Sequence, residues 1–99
     1  MEHNLNMAKL ERAAFEQYSD LVYHYRVYNE ISGLARADLL PKMKEAVNAA
    51  DSVWSQVEEV IKGVKGDEVD HLRFNLQKYR EKMEEVKNAC GLESSEPNA

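Results

Sequence analysis

The sequence is poor in cysteine: it contains one, Cys90, in 99 residues. A single cysteine cannot form a disulfide within the chain, so the oxidising environment of export offers this protein no covalent stabilisation. Residues 1–10 contain no continuous apolar stretch of signal-peptide length. We therefore expect a cytoplasmic protein.

Long hydrophobic runs and an excess of basic residues are also missing from the sequence. No window approaches the roughly 20 apolar residues that a membrane-spanning helix needs. The 13 Lys and Arg residues are outnumbered by 18 Asp and Glu, which gives a formal net charge of −5. Because negative charge opposes binding to phosphate backbones and anionic lipids, we expect no direct contact with nucleic acid or membranes.

Glycine and proline are few, and the glycines divide the chain into helical segments. Gly33, Gly63, Gly66 and Gly91 each lie at or just past the end of a stretch with helical periodicity. We predict an all-α fold, an antiparallel bundle of three long helices at about residues 4–31, 38–62 and 67–90. Residues 1–91 are expected to form a single helical domain, as suits this length, and residues 92–99 a flexible polar tail.

The first segment carries an apolar stripe whose members recur every three or four residues. The stripe comprises Met7, Leu10, Ala14, Tyr18, Leu21, Tyr25 and Tyr28, and Phe15 and Val22 are expected to widen it. The Val and Tyr residues between positions 21 and 28 favour a strand locally. We predict helix there, because no turn residue interrupts the pattern and no other segment offers a sheet partner.

The second segment is predicted to start at Asp38 as N-cap, with Pro41 in the first turn, where a missing amide hydrogen is tolerated. Its apolar residues repeat in alternating steps of four and three, which is typical of a heptad seam. The seam consists of Leu39, Met43, Ala46, Ala50, Val53, Val57 and Val60, flanked by Leu40, Val47, Trp54 and Ile61. This arc is wide enough to contact both other helices.

The third segment has the same alternating pattern and well-marked ends. Asp67 follows Gly66, and Cys90 precedes Gly91. Its seam consists of Val69, Leu72, Leu76, Tyr79, Met83, Val86 and Cys90. Since the connection at residues 63–66 is short, helices two and three should form an antiparallel, coiled-coil-like hairpin. Helix one can fold back along this hairpin or pair with a second copy of the chain, so a homodimer is plausible.

Residue patterns typical of catalysis or metal binding are weak in this sequence. Glu68 and His71 have the Glu-x-x-His spacing of di-iron bundles, but no second such motif accompanies them. His24 lies one turn after Asp20, yet no motif places a nucleophile beside this pair. Cys90 occupies a seam position, as a small hydrophobic residue would. We therefore predict that the protein is not an enzyme and needs no metal or cofactor.

Four apolar residues are not explained by the predicted core. Tyr23, Val27 and Ile31 form a ridge on the side of helix one roughly opposite its stripe, and Phe74 points away from the seam of helix three. Either neighbouring helices cover this ridge, or it is an exposed strip of the kind that marks protein contact surfaces. These four residues are the candidate protein-binding site.

The sequence therefore favours a helical interaction module, such as an adaptor, accessory factor or small inhibitor, that binds a larger protein of unknown identity. The alternative is a structural bundle that assembles with copies of itself. A lesser alternative is an acidic inhibitor that occupies a basic nucleic-acid-binding groove, although basic residues interrupt the acidic ones along every helix.

Overall fold

Residues 6–92 are described by a computed structural model and form three α-helices. These are α1 (Met7–Glu30), α2 (Gly33–Ile61) and α3 (Asp67–Cys90). The predicted all-α three-helix bundle is confirmed for this part of the chain. Apart from Leu92, the predicted polar tail lies outside the described residues.

Contacts between side chains fix the directions of the helices. Arg80 of α3 pairs with Glu58 of α2, and the Trp54 indole of α2 donates a hydrogen bond to the carbonyl of Ala14 in α1. Together with the short connections, these contacts make successive helices antiparallel. Helix α1 therefore packs against the hairpin of its own chain.

Helix α1 starts at a side-chain cap. The Oδ1 atom of Asn6 accepts a hydrogen bond from the backbone amide of Lys9 at 3.1 Å. This bond satisfies one of the amides that lack a partner in the first turn, which explains why the helix begins at Met7. Ile31 and Ser32 are extended and form the connection to α2.

Helix α2 begins five residues before the predicted N-cap, so the assignment of Asp38 to that position is wrong. The helix starts at Gly33, and Pro41 lies within it rather than in its first turn. The added turn is held by Arg36, whose Nε donates to the carbonyl of Tyr28 at 3.2 Å and whose guanidinium lies 4.6 Å from the centre of that ring. This contact with the end of α1 stabilises residues that their own sequence pattern does not mark as helical.

The buried stripe of α2 also differs from the predicted seam. Val60 is 46% exposed, whereas Val47, Trp54 and Ile61, which were expected only to flank the seam, are buried. Met43, Ala46, Ala50 and Val57 belong to the buried stripe as predicted. The helix is therefore rotated towards its bulkier side chains.

Helix α3 spans the residues that the sequence predicts, and its seam is buried or half-buried throughout. Its first turn contains Asp67, Glu68 and Asp70, whose charges favour a helix N-terminus. Gly91 ends the helix in the left-handed conformation, at φ 71°. Glycine adopts this conformation without the steric cost that a side chain would bring.

A row of aromatic rings crosses the centre of the bundle. Tyr18 of α1 stacks on Tyr79 of α3 with ring centres 4.5 Å apart, and Tyr79 stacks on Trp54 of α2 at 5.6 Å. Burial raises the pKa of Tyr79, and the nearby Tyr18 and Glu11 raise it further. This row joins all three helices around the fully buried Trp54.

Candidate protein-binding surfaces

Of the predicted ridge on α1, Tyr23 presents the largest surface. Its side chain is 59% exposed, while Val27 and Ile31 are half-buried at the edge of the helix contacts. The ring of His24 meets that of Tyr23 edge-on at 5.4 Å. Of the two alternatives, an exposed surface therefore holds for Tyr23, whereas Val27 and Ile31 are partly covered.

Phe15 is a second exposed aromatic residue on α1, and the expectation that it widens the core stripe is wrong. Its side chain is 54% exposed, because it lies beside Tyr18 at the edge of the stripe, where no other helix covers it. Phe15 and Tyr23 border a shallow groove of about 440 Å³. We call this groove the α1 surface; it is lined by Phe15, Glu16, Ser19, Asp20 and Tyr23.

Phe74 lies away from the seam of α3, as predicted, and its side chain is 56% exposed. The Lys78 ammonium lies 5.4 Å from the centre of its ring, within the range of a cation–π contact. Phe74 and Tyr23 are on the outer faces of different helices, and no aromatic contact among residues 6–92 joins them. The predicted site therefore consists of two separate surfaces.

A groove runs between α2 and α3, and Phe74 is not itself among the residues that line it. It has a volume of about 580 Å³, and the buried side chains Ile61 and Leu76 form its floor. Gln77 and Glu81, which follow Phe74 by three and seven residues, belong to its wall. We call this groove together with Phe74 the α2–α3 surface; its lining is Glu58, Ile61, Arg73, Leu76, Gln77, Arg80, Glu81 and Glu84.

The two arginines of the α2–α3 surface are occupied by contacts within the chain. Arg73 donates to the carbonyls of Ile61 and Val64 at 2.9 and 2.8 Å, and so caps the C-terminal end of α2. Its Nη1 pairs with Asp70 at 3.2 Å. These bonds occupy Arg73, while Glu58 pairs with Arg80 and Glu84 pairs with Lys87 at 3.3 Å, so Glu81 is the wall carboxylate without a salt bridge among the described residues.

Arg80 holds α2 and α3 together at the middle of the groove. It makes a two-bond contact with Glu58, at 2.9 and 3.1 Å, and also donates to Asp51 and Ser55. The hydrogen bond to Glu58 is the main cause that raises the pKa of Arg80, against the opposing effect of burial. Beyond Arg80 a wider and more polar cleft extends to Gly91 and Leu92.

Changing Arg80 to methionine tests this bridge. The variant keeps the aliphatic stem and loses the donors, so we expect the free energy of unfolding to fall by about 1 kcal/mol. The loss stays small because Glu58 and Asp51 are 42% and 58% exposed and can bind water instead. Urea unfolding followed by circular dichroism measures it; a loss of about 3 kcal/mol or more would mean that the bridge is buried.

Groups that carry chemistry in enzymes are scattered over the described residues. The Nδ1 atom of His24 lies 2.8 Å from the carbonyl of Asp20, and His71 is exposed on α3. Cys90 is buried, which raises the pKa of its thiol, while the charge of Arg36 acts in the opposite direction. Within residues 6–92, no three His, Cys, Asp or Glu side chains are grouped as metal ligands would be.

Two further exposed apolar side chains were not predicted. Leu34, in the first turn of α2, is 86% exposed, and Val60 is exposed on the same helix. The early start of α2 places Leu34 on a helix instead of in a connection, so sequence periodicity gave no signal for it.

No helix in the described part of the chain is long and apolar enough to span a membrane. In comparisons with known proteins, no family model, no curated protein and no solved structure matches this chain.

Proposed function

We propose that this protein is a non-enzymatic helical module that binds another protein chain through its exposed aromatic side chains. The observation that carries the proposal is the exposure of Tyr23 and Phe74, at 59% and 56%, on outer faces of helices whose inner faces already supply the core. Neither ring is needed to fill the bundle. Large aromatic side chains with polar neighbours are typical anchors of protein interfaces.

The α2–α3 surface favours a partner segment that combines an apolar anchor with basic side chains. Phe74 provides an exposed apolar contact, and the groove beside it offers a place for a side chain of the partner. Glu81 and Glu84 line the wall; Glu84 pairs with Lys87, and Arg73 and Arg80 are engaged within the chain, so Glu81 is the charge open to a partner. A lysine or arginine of the partner that reaches Glu81 would therefore meet favourable charge, whereas Lys78 would repel a basic side chain placed directly at Phe74.

The placement of the histidines and the cysteine also supports a binding role over a catalytic one. A general acid or base must lie within hydrogen-bonding distance of the group it serves, usually in a cleft that excludes water. His71 lies on an exposed face, and the Cys90 thiol is buried with a raised pKa, which disfavours the reactive thiolate.

Affinity capture by the full chain from its native cells, comparing variants, tests the proposal. Phe74→Ser and Tyr23→Ser each remove one aromatic anchor, and we expect at least one of them to weaken retention of a specific partner about thirtyfold, as loss of an interface hot spot does. Leu34→Ser is the matched control, because it removes an exposed apolar side chain away from both surfaces. Circular dichroism melts should be the same for all variants.

Two results would contradict this function. One is partner retention that is unchanged in both aromatic variants. The other is a large drop in melting temperature for Tyr23→Ser or Phe74→Ser, since that would assign these residues to the core.

A further inference from the structure

The outer face of α1 carries a second heptad-like stripe, on the opposite side from the core. Tyr23 follows the buried Leu21 by two residues, which is about 200° around the helix. Six exposed residues share this face in alternating steps of four and three. We call them the outer stripe: Arg12, Glu16, Ser19, Tyr23, Arg26 and Glu30.

The charges of the outer stripe are self-complementary when the stripe is reversed. In an antiparallel helix pair whose twofold axis passes at the level of Leu21, Arg12 of one copy faces Glu30 of the other. Glu16 likewise faces Arg26, and both matches occur twice because of the symmetry. In a parallel pair each charge would face its own copy, which is repulsive.

The uncharged centre of the stripe is also complementary in shape. In the same antiparallel register, Tyr23 of one copy faces Ser19 of the other. Ser19 is small and lies in the groove between Phe15 and Tyr23, so it leaves room for an incoming ring. An aromatic residue opposite a small one is a favourable layer in helix packing.

We infer that the α1 surface binds a second copy of this chain, with the two α1 helices antiparallel about the level of Leu21. This inference rests on the proposed function and names the partner of one of its two surfaces. The α2–α3 surface lies on other helices and stays open in this dimer. The dimer would thus present two copies of the α2–α3 surface.

The dimer is expected to be weak. The outer stripe is about 27 Å long, and one helix pair of that length reaches at most the lower end of the roughly 1,200–2,000 Å² that stable interfaces bury. Asp20 opposes the pairing. The Asp20 residues of the two copies lie close together beside the twofold axis, and their like charges repel each other. Exposed ion pairs also weaken with salt, so association should fall as ionic strength rises.

Sedimentation equilibrium of the full chain at low salt, from micromolar to millimolar concentration, measures the association. We expect the average mass to approach that of two chains at the upper end. Arg12→Glu alone and Glu30→Arg alone each place like charges opposite each other twice, so each should weaken self-association about tenfold or more. Lys62→Glu, which makes the same change of charge at an exposed position outside α1, should leave it unaltered.

The decisive measurement is an equimolar mixture of the Arg12→Glu and Glu30→Arg proteins. Between these two variants, the chain with two acidic residues at these positions faces the chain with two basic ones, so the mixture should associate at least as well as the unmodified protein. Association through a surface that does not include Arg12 and Glu30 does not predict this rescue. The double variant in one chain should also regain the association of the unmodified protein.

Three results would overturn the inference: a monomer at every concentration, association unaffected by either single variant, or a mixture that stays monomeric. The capture experiment separates these failures from that of the proposed function. A strict monomer that still loses a partner on Phe74→Ser or Tyr23→Ser overturns the dimer alone. If the protein dimerises as expected but both aromatic variants retain the captured partner unchanged, the dimer is supported and the binding of a different protein is overturned.

Discussion

Trp54→Ala is expected to lower the free energy of unfolding by about 3–5 kcal/mol. Trp54 is fully buried between all three helices, where it stacks on Tyr79 and donates to the carbonyl of Ala14 at 3.0 Å. Its removal leaves a cavity that the facing helices can fill only by shifting against each other. Urea unfolding followed by circular dichroism measures the loss. Tryptophan fluorescence cannot follow this variant, because it lacks the chain's single tryptophan.

One further variant separates the contributions of volume and hydrogen bonding at Trp54, and a variant at Phe74 is the control. Trp54→Phe keeps part of the volume and loses the hydrogen bond of the indole. The carbonyl of Ala14 still accepts the backbone hydrogen bond of its own helix, so we expect the free energy of unfolding to fall by about 1–3 kcal/mol. Phe74→Ala removes an aromatic ring that is mostly exposed, and it should cost less than about 0.5 kcal/mol. Equal losses for Trp54→Ala and Phe74→Ala would show that Trp54 is not central to the core.

The fold class could be predicted because several local signals agree. In α3 the acidic first turn, the regular seam and Gly91 all indicate the same helix, and the structure places its ends at Asp67 and Cys90. In α2 two neighbouring apolar stripes have the same periodicity, and spacing alone cannot rank them. The size of Trp54 decides: it occupies the space between three helices, and this turns Val60 outwards.

The start of α2 could not be predicted for a related reason. Asp38 and Pro41 form a strong local signal for a helix start, yet the helix begins at Gly33. The deciding contact, from Arg36 to Tyr28, joins the ends of two helices and exists only when α1 has folded back. The carbonyl of Ala37, which loses its helical partner to Pro41, lies at an exposed position where water can bind it.

The features of the candidate surfaces also differ in how far the sequence predicts them. Tyr23 and Phe74 lie nearly opposite the core stripes of their helices, so periodicity identifies them as candidates, while the packing of the helices decides that they are exposed. Phe15 lies at the edge of its stripe, where exposure depends on how far α3 reaches around α1. The α2–α3 groove depends on the distance between two helices and on the bridge of Arg80, and periodicity carries no information on either.

We propose distinct roles for the inner and the outer faces of the helices. The inner faces supply the core, the outer face of α1 is proposed to pair with a second copy, and Phe74 with its groove is proposed to bind a different protein. Substitutions on the outer faces should therefore change binding without changing stability. Substitutions on the inner faces should change stability without changing the binding surfaces.

Ala50→Leu is expected to lower the free energy of unfolding by about 1–3 kcal/mol, because a well-packed core has no room for the added carbons. Ala50 is fully buried at the middle of the α2 stripe, next to the 5% exposed Ala46. Small side chains there let the neighbouring helices approach closely. A leucine would force them apart or adopt a strained rotamer.

Ala49→Leu is the matched control for this prediction. Ala49 is the preceding residue of the same helix and is exposed, and leucine is nearly as favourable as alanine in a helix. This variant should therefore stay within about 0.5 kcal/mol of the unmodified protein. Because the two variants have the same composition, the difference between their urea midpoints reports only the packing at Ala50. Coincident midpoints would mean that the bundle is loosely packed at its centre.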